Sequence, residues 1–230
     1  MSKDEAEGER QYRSRVNLIK AQGREQLGLA TSWAWHDDPR HLVFTLARYK
    51  FVAKMLAGSK RVLEVGCGDG FPTRLVAQAV ESVVGIDFDS EFIGDANMRF
   101  SKRWPIEFRT HNILRGPVAE IFDAAYSLDV IEHIPLDLED VFLSNITQSL
   151  SRHGVLIIGS PSLESQNFAS PQSKEGHVNC KTADELHVAL GRHFENVFVF
   201  SMNDEVVHTG YSKMAHYLMA LCCSPKQTRA

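Results

Sequence analysis

No run in this chain of 230 residues approaches the ~18 apolar positions that a membrane span requires. Paired cysteines are also missing. Cys67, Cys180, Cys222 and Cys223 form neither a C-x-x-C motif nor a disulfide-framework rhythm, which points to reduced, cytoplasmic thiols. Vicinal Cys222 and Cys223 read as small fillers of a late strand rather than a redox pair. Positive charge is not in excess either: 25 Lys and Arg against 29 Asp and Glu leave a formal net charge of −4. That balance disfavours a nucleic-acid groove, which needs clustered cations to neutralise phosphates. Met1 to Arg10 are polar and charged without an apolar stretch, so no secretory leader is expected. Internal repeats and low-complexity tracts are absent. What is present is ordinary for a globular protein: 43% hydrophobic and 23% charged residues, enough for one α/β domain with a short additional element.

The pattern along the chain divides near residue 57. Met1 to about Gln11 is expected to be disordered, and residues 12–29 carry a weak helical period through Val16, Ile19 and Leu27. Trp33, Trp35, His36, Asp37, Asp38 and Pro39 read as a turn leading into a helix, with Asp38 as N-cap and Pro39 at the first helical position. Leu42, Leu46, Tyr49, either Val52 or Ala53, and Leu56 continue that helix. Residues 1–57 are therefore expected to form an unstructured start and a helical lid, and residues 58–230 the main domain. After Gly58, short apolar runs alternate with helical stretches, the pattern of repeated βα units and a parallel sheet. The spacing predicts strands at 61–65, 82–87, 106–110, 122–128, 154–159, 195–200 and 213–221, with helices at 73–79, 90–100, 139–150 and 182–190. The long irregular segment 160–181 is of a length that usually serves function or motion.

The strongest motif is Val62-Leu63-Glu64-Val65-Gly66-Cys67-Gly68-Asp69-Gly70, a buried strand running into three glycines before a helix. Glycines there let the backbone turn tightly and a ligand approach it closely, at the strand ends where open parallel sheets bind ligands. A dinucleotide loop places its third glycine one position later, where Phe71 stands. Charge separates the two nucleotide readings further. Glu64, Asp69 and Asp87 would repel a pyrophosphate, whereas S-adenosylmethionine carries an ammonium and a sulfonium and no phosphate. Asp87 ends the second strand, about 20 residues beyond the glycines, where a carboxylate accepts both ribose hydroxyls. Phe88 is placed to pack on the adenine, Asn112 to read its edge and Ile113 to cover a ring face.

In these motifs the chain resembles the class I S-adenosylmethionine-dependent methyltransferases, especially the ubiquinone-biosynthesis-like group with E/D-V-G-C-G-x-G, G-I-D and D-V-I-E-H. The resemblance covers about residues 62–160 in order and spacing. It implies a doubly wound, seven-stranded, mostly parallel sheet with the last strand antiparallel and a helical lid at the N-terminus. It also implies Glu64, Gly66, Cys67, Gly68 and Gly70 around the methionine part, Asp87 on the ribose, Asn112 and Ile113 by the adenine, and Leu128 and Asp129 near the sulfonium. Many relatives have Asp where Asn112 stands.

On the acceptor side, Asp129, Glu132 and His133 stand at i, i+3 and i+4, so a helical turn would place all three on one face. Methyl transfer to an alcohol needs alignment and loss of a proton, and His133 is a suitable base near neutral pH. Gly176-His177-Val178-Asn179-Cys180-Lys181 resembles a segment of metal-dependent relatives, including small-RNA 3′-terminal 2′-O-methyltransferases, in which two acids and two histidines hold a divalent cation. That resemblance implies Asp129, Glu132, His133 and His177 as a ligand set for Mn, Fe, Zn or Mg. Metal-free relatives also carry D-V-I-E-H. Asn203, Asp204, Glu205 and His208 are expected on the rim, and Trp33 and Trp35 on the lid. The expected function is O-methylation of a small polar metabolite such as a sugar or hydroxylated biosynthetic intermediate. N-methylation, carboxylate or phosphonate methylation, and cofactor binding without catalysis are the alternatives. A homo-oligomer is left open.

Overall fold

The computed structural model describes residues 9–100 and 103–226, so Met1 to Gly8, most of the expected unstructured start, lie outside the described residues. Helix α1, Arg10–Gln22, ends at Gly23, whose φ of 86° suits glycine. Helix α2, Leu29–Asp37, occupies the segment expected to be a turn. Helix α3, Pro39–Met55, starts as its sequence predicts, with Asp38 accepting from the Arg40 backbone N–H at 3.1 Å.

The βα units follow in order: β1 Arg61–Val65, α4 Thr73–Ala77, β2 Ser82–Asp87, α5 Ser90–Arg99, β3 Ile106–Thr110 and β4 Phe122–Leu128. Then come α6 Glu139–Gln148, β5 Leu150–Pro161, α7 Pro171–Gly176 and α8 Ala183–Gly191. The chain closes with β6 Phe194–Asn203, β7 Val206–His208 and β8 Tyr217–Pro225. The predicted long loop after β5 therefore contains α7 and a 3-10 turn, Glu164–Phe168.

One sheet takes the order β3-β2-β1-β4-β5-β8-β6-β7. Neighbours from β3 through β5 pair in parallel, and β8 lies antiparallel between β5 and β6. The eighth strand, β7, is a three-residue return of the polar segment expected on the rim. Because β1 is flanked by β2 and β4, the order reverses there, and the carboxyl ends of β1 and β4 adjoin at the point where such sheets bind ligands.

Strand periodicity sorts the core into two faces. Leu63 and Val65 join Ile86, Ile131, Phe142 and Leu156 on one side. Val62 joins Tyr49, Val52, Val76, Tyr126 and Ile157 on the other, beneath α3 and α4. Cys222 is fully buried in β8 as an apolar filler. Among the described residues, no helix is long and apolar enough to cross a membrane.

Candidate active site

The backbone leaves β1 through Gly66, Gly68 and Gly70, all with positive φ. The Gly66 and Cys67 N–H groups both donate to the Ile86 carbonyl, at 2.8 and 3.0 Å, which folds the loop against β2. At Gly68, φ is 52° and a Cβ would meet no atom within 4 Å, so this backbone faces an open groove. The Gly68 N–H donates to Asp87 Oδ2 at 2.9 Å, while Asp87 Oδ1 accepts from Asp89 N–H at 2.9 Å. The half-buried Asp87 carboxylate is thus fixed beside the loop, and each oxygen keeps acceptor capacity. Phe88 is 74% exposed. The Asn112 side-chain oxygen accepts from Leu114 N–H at 2.9 Å, capping the 3-10 turn Ile113–Arg115.

Several expected cofactor contacts lie deeper. Glu64 is 1% exposed and accepts from the Tyr49 hydroxyl at 2.6 Å and the Thr73 hydroxyl at 2.5 Å. Strand alternation turns it toward α3 and α4, as it does Val62, and burial pushes its carboxyl up to about 7. The Cys67 side chain packs with Ile93, Ala96 and Phe108, its Sγ 3.7 Å from the Gly68 carbonyl. Ile113 and Leu128 are buried in the two core clusters.

Across the switch point, β4 ends at Asp129, whose φ is 57°. This left-handed residue stops the chain from entering a helix at that position, and the short turn Ile131–His133 forms only afterwards. Asp129 therefore does not share a helical face with Glu132 and His133. Both Asp129 oxygens instead lie 2.8 Å from Arg48 Nη1 on α3, and the Arg48 guanidinium stacks 3.8 Å over the Tyr217 ring.

Glu132, His133 and His177 do come together: one ligand atom from each lies within 4.8 Å of the others. Glu132 is fully buried, and neither oxygen has a hydrogen-bond partner. Burial, reinforced by the Asp129 carboxylate, holds it well above the usual carboxylate range. His133 Nδ1–H donates to the Gly176 carbonyl at 2.9 Å, and His177 Nδ1–H to the Gln166 side-chain oxygen at 3.0 Å. With those tautomers, each Nε2 presents a lone pair. Burial first, and then His133, lowers the His177 pKa.

The segment carrying His177 is pinned by its own Asn179 and Lys181, to which the sequence assigns no role, together with Glu139. Asn179 N–H donates to the Glu132 carbonyl at 2.9 Å. The buried Lys181 ammonium pairs with Glu139 at 2.6 Å and donates to the Asn179 side-chain oxygen at 2.8 Å, while the Asn179 amide donates to Glu139 at 2.8 Å. Arg48, Tyr217 and Gln166 were likewise unmarked. They lie on α3, β8 and a loop turn far from any glycine motif. On the rim, His208 Nε2–H donates to Asn203 at 2.9 Å and Asp204 and Glu205 are exposed, so those residues shape the β6–β7 hairpin.

Residues 63–158 match the family described as "Methyltransferase domain". A Mycolicibacterium smegmatis protein described as a "probable S-adenosylmethionine-dependent methyltransferase" is 29% identical over 135 residues, covering 58% of this chain and 48% of that one. The mitochondrial ubiquinone biosynthesis O-methyltransferase of Bos taurus is 33% identical over 171 residues, covering 63% of this chain and 44% of that one. The chain thus spans about half the length of these two relatives. The crystal structure of the N-methyltransferase NodS from Bradyrhizobium japonicum, in complex with S-adenosyl-L-homocysteine, superposes with a TM-score of 0.61 at 23% identity, covering 84% and 92% of the two chains. That likeness is one of fold. With its glycine loop, strand-end acids and sheet order, the chain is similar in sequence to S-adenosylmethionine-dependent methyltransferases and shares the fold of the class I group.

Proposed function

We propose that the chain transfers a methyl group from S-adenosylmethionine to a hydroxyl oxygen of a small polar metabolite, such as a sugar or hydroxylated biosynthetic intermediate. The observation that carries this reading is Glu132, a fully buried carboxylate without a hydrogen-bond partner, set beside two imidazoles with outward lone pairs. Such a cluster is suited to holding an acceptor hydroxyl at Glu132 while an imidazole takes its proton. The name of the bovine relative, an O-methyltransferase, supports oxygen as the acceptor atom.

The residues present fit the cofactor. In this reading the open backbone of Gly66, Cys67, Gly68 and Gly70 borders the methionine part, and Asp87 accepts the ribose hydroxyls. Phe88 packs on the adenine beside Asn112 and Ile113, Leu128 and Asp129 border the sulfonium, and Glu64 supports the loop from beneath. Bound there, S-adenosylmethionine supplies an electrophilic methyl group for in-line transfer. His133 then accepts the proton at Nε2, its ring held by the Gly176 carbonyl.

The same geometry favours a second reading, in which Glu132, His133 and His177 hold Mn, Fe, Zn or Mg. Metal-ligating imidazoles characteristically donate their other N–H to a carbonyl or carboxylate, as both do here. A cation would lower the acceptor hydroxyl's pKa and orient it. Asp129, held by Arg48, stands outside this set.

A chelator separates the two. With a metal, EDTA abolishes transfer, Mn restores it and His177→Ala mimics chelation. With His133 as a base alone, EDTA has no effect and His133→Ala slows turnover by roughly 10²–10⁴-fold. S-adenosylhomocysteine affinity stays unchanged in both. Full activity in both histidine variants overturns the reading and leaves an already ionised carboxylate or phosphonate acceptor, or an amine, in its place.

A further inference from the structure

Helix α2 is nine residues long, and Thr31 is its one buried residue. Trp33 and Trp35 are each 57% exposed, so the helix is not anchored by an apolar face. Its N-cap is Gly28, which has no side chain to satisfy the N–H groups that every helix leaves unpaired in its first turn. Two of those groups are taken by acids from the domain below. Asp69 Oδ2 accepts from Thr31 N–H at 2.7 Å, and Asp69 Oδ1 from the Thr31 hydroxyl at 3.1 Å. Asp95 Oδ2 accepts from Leu29 N–H at 3.3 Å.

Thr31 N–H is the third in the helix, one of those an ordinary N-cap side chain accepts from. The substitution is literal in space. A Cβ on residue 28 would stand 2.2 Å from Asp69 Cγ and 2.3 Å from its Oδ2, so the Asp69 carboxylate fills the place of the missing cap side chain. Asp69 is 3% exposed, and its Oδ1 also accepts from Phe71 N–H at 3.0 Å within the glycine loop. Arg99 completes the tie, donating to the Asp69 carbonyl at 2.5 Å and to Asp95 at 2.8 Å. One carboxylate is thereby shared between the loop and α2. Helix α2 also walls a cavity of about 430 Å³ with Asp89, Glu91 and Phe92, which follow the Asp87–Phe88 strand end in sequence.

We propose that Asp69 is a positioning residue that caps α2 from outside its own segment, so that cofactor binding at the glycine loop and docking of the N-terminal helix are one coupled event. The proposal rests on reading that loop as the cofactor site. Coupling of this kind is reciprocal: whatever the cofactor adds to α2 docking, docked α2 adds to cofactor affinity.

The experiment compares wild type, Asp69→Ala, Asp69→Asn, Gly28→Ala and the double variant Gly28→Asp/Asp69→Ala. Two quantities are read in each: amide exchange of α2 without ligand, and calorimetric affinity for S-adenosylhomocysteine. Loss of a cap of this kind is expected to speed α2 exchange and weaken binding by about tenfold each. Gly28→Ala, which intrudes on the carboxylate without touching the domain core, is expected to act in the same direction and serves if Asp69→Ala misfolds. The double variant moves the carboxylate to the ordinary cap position. It is expected to restore slow α2 exchange while affinity stays low and added ligand no longer changes that exchange, an outcome a merely structural role does not produce. Equal α2 exchange in unliganded wild type and both single-site Asp69 variants overturns the cap, whether or not ligand binds. Wild-type affinity in the double variant overturns the coupling. Failure of wild type to bind the ligand overturns the coupling together with the cofactor reading, and the unliganded exchange still decides the cap.

Discussion

Replacing Glu64 by Gln separates the electrostatic cost of the acid beneath the glycine loop from its hydrogen bonds. In the folded chain burial raises this carboxyl from 4.5 to about 7, even though the Tyr49 and Thr73 hydroxyls donate to it. Between those pH values the folded state binds more protons than the unfolded state, so stability falls as pH rises, and the full cost is present above about 7. A displacement of that size corresponds to roughly 2–3 kcal/mol lost between pH 5 and pH 8. Glutamine cannot ionise and escapes the loss. It offers one acceptor oxygen where the carboxylate offers two, which costs about 1 kcal/mol at every pH. Glu64→Gln is therefore expected to be slightly less stable than wild type at pH 5 and more stable at pH 8. Urea unfolding at both pH values measures the difference, in which all other titrating groups cancel. A difference that stays constant across that range refutes the argument, because the folded carboxyl would then titrate as the unfolded one does.

Asp87→Ala is expected to weaken S-adenosylhomocysteine binding by about 100-fold, through loss of the ribose hydrogen bonds and of the Gly68 tether. Calorimetry showing wild-type affinity removes the ribose role. Arg48→Leu leaves Asp129 without its cation in a left-handed conformation and is expected to lower stability by about 1 kcal/mol, a modest figure because the Asp129 side chain is 36% exposed. Arg48→Lys restores the charge but not the stacking on Tyr217, so its melting temperature is expected to fall between the two. Equal melting temperatures in all three proteins contradict the pairing.

The parts of this molecule that could be read from sequence are those whose causes lie within a few residues. The apolar run entering Gly66, the Asp38–Pro39 helix start and the parallel strands through β4 each follow from local spacing, and the structure has them at the expected residues. Helix α2 reads as a turn in the sequence because its stabilising acids, Asp69 and Asp95, arrive from elsewhere in the chain. The eighth strand escaped notice because three residues of polar rim carry too little alternation to register. Glu64 could have been oriented correctly. Its place two residues after Val62 puts it on the same strand face, toward Tyr49 rather than the groove.

The acceptor half of the site was legible in composition and not in geometry. Residues 129–133 supply three polar groups at helical spacing, yet the left-handed Asp129 divides them, and Arg48 from α3 takes the first for itself. His177 reaches the remaining pair only because Asn179 and the Lys181–Glu139 ion pair hold its segment against the turn after β4. Tyr217 closes the far side from β8, where its buried hydroxyl has no hydrogen-bond partner. Four separate stretches of chain thus meet at the proposed acceptor pocket, while most of the proposed cofactor groove comes from the glycine loop and the adjoining strand ends. A groove built from consecutive residues keeps its motif whatever is methylated. A pocket drawn from α3, the turn after β4, the 160–181 segment and β8 changes with any one of them, so in the proposed function the choice of acceptor rests on the register of those four against one another.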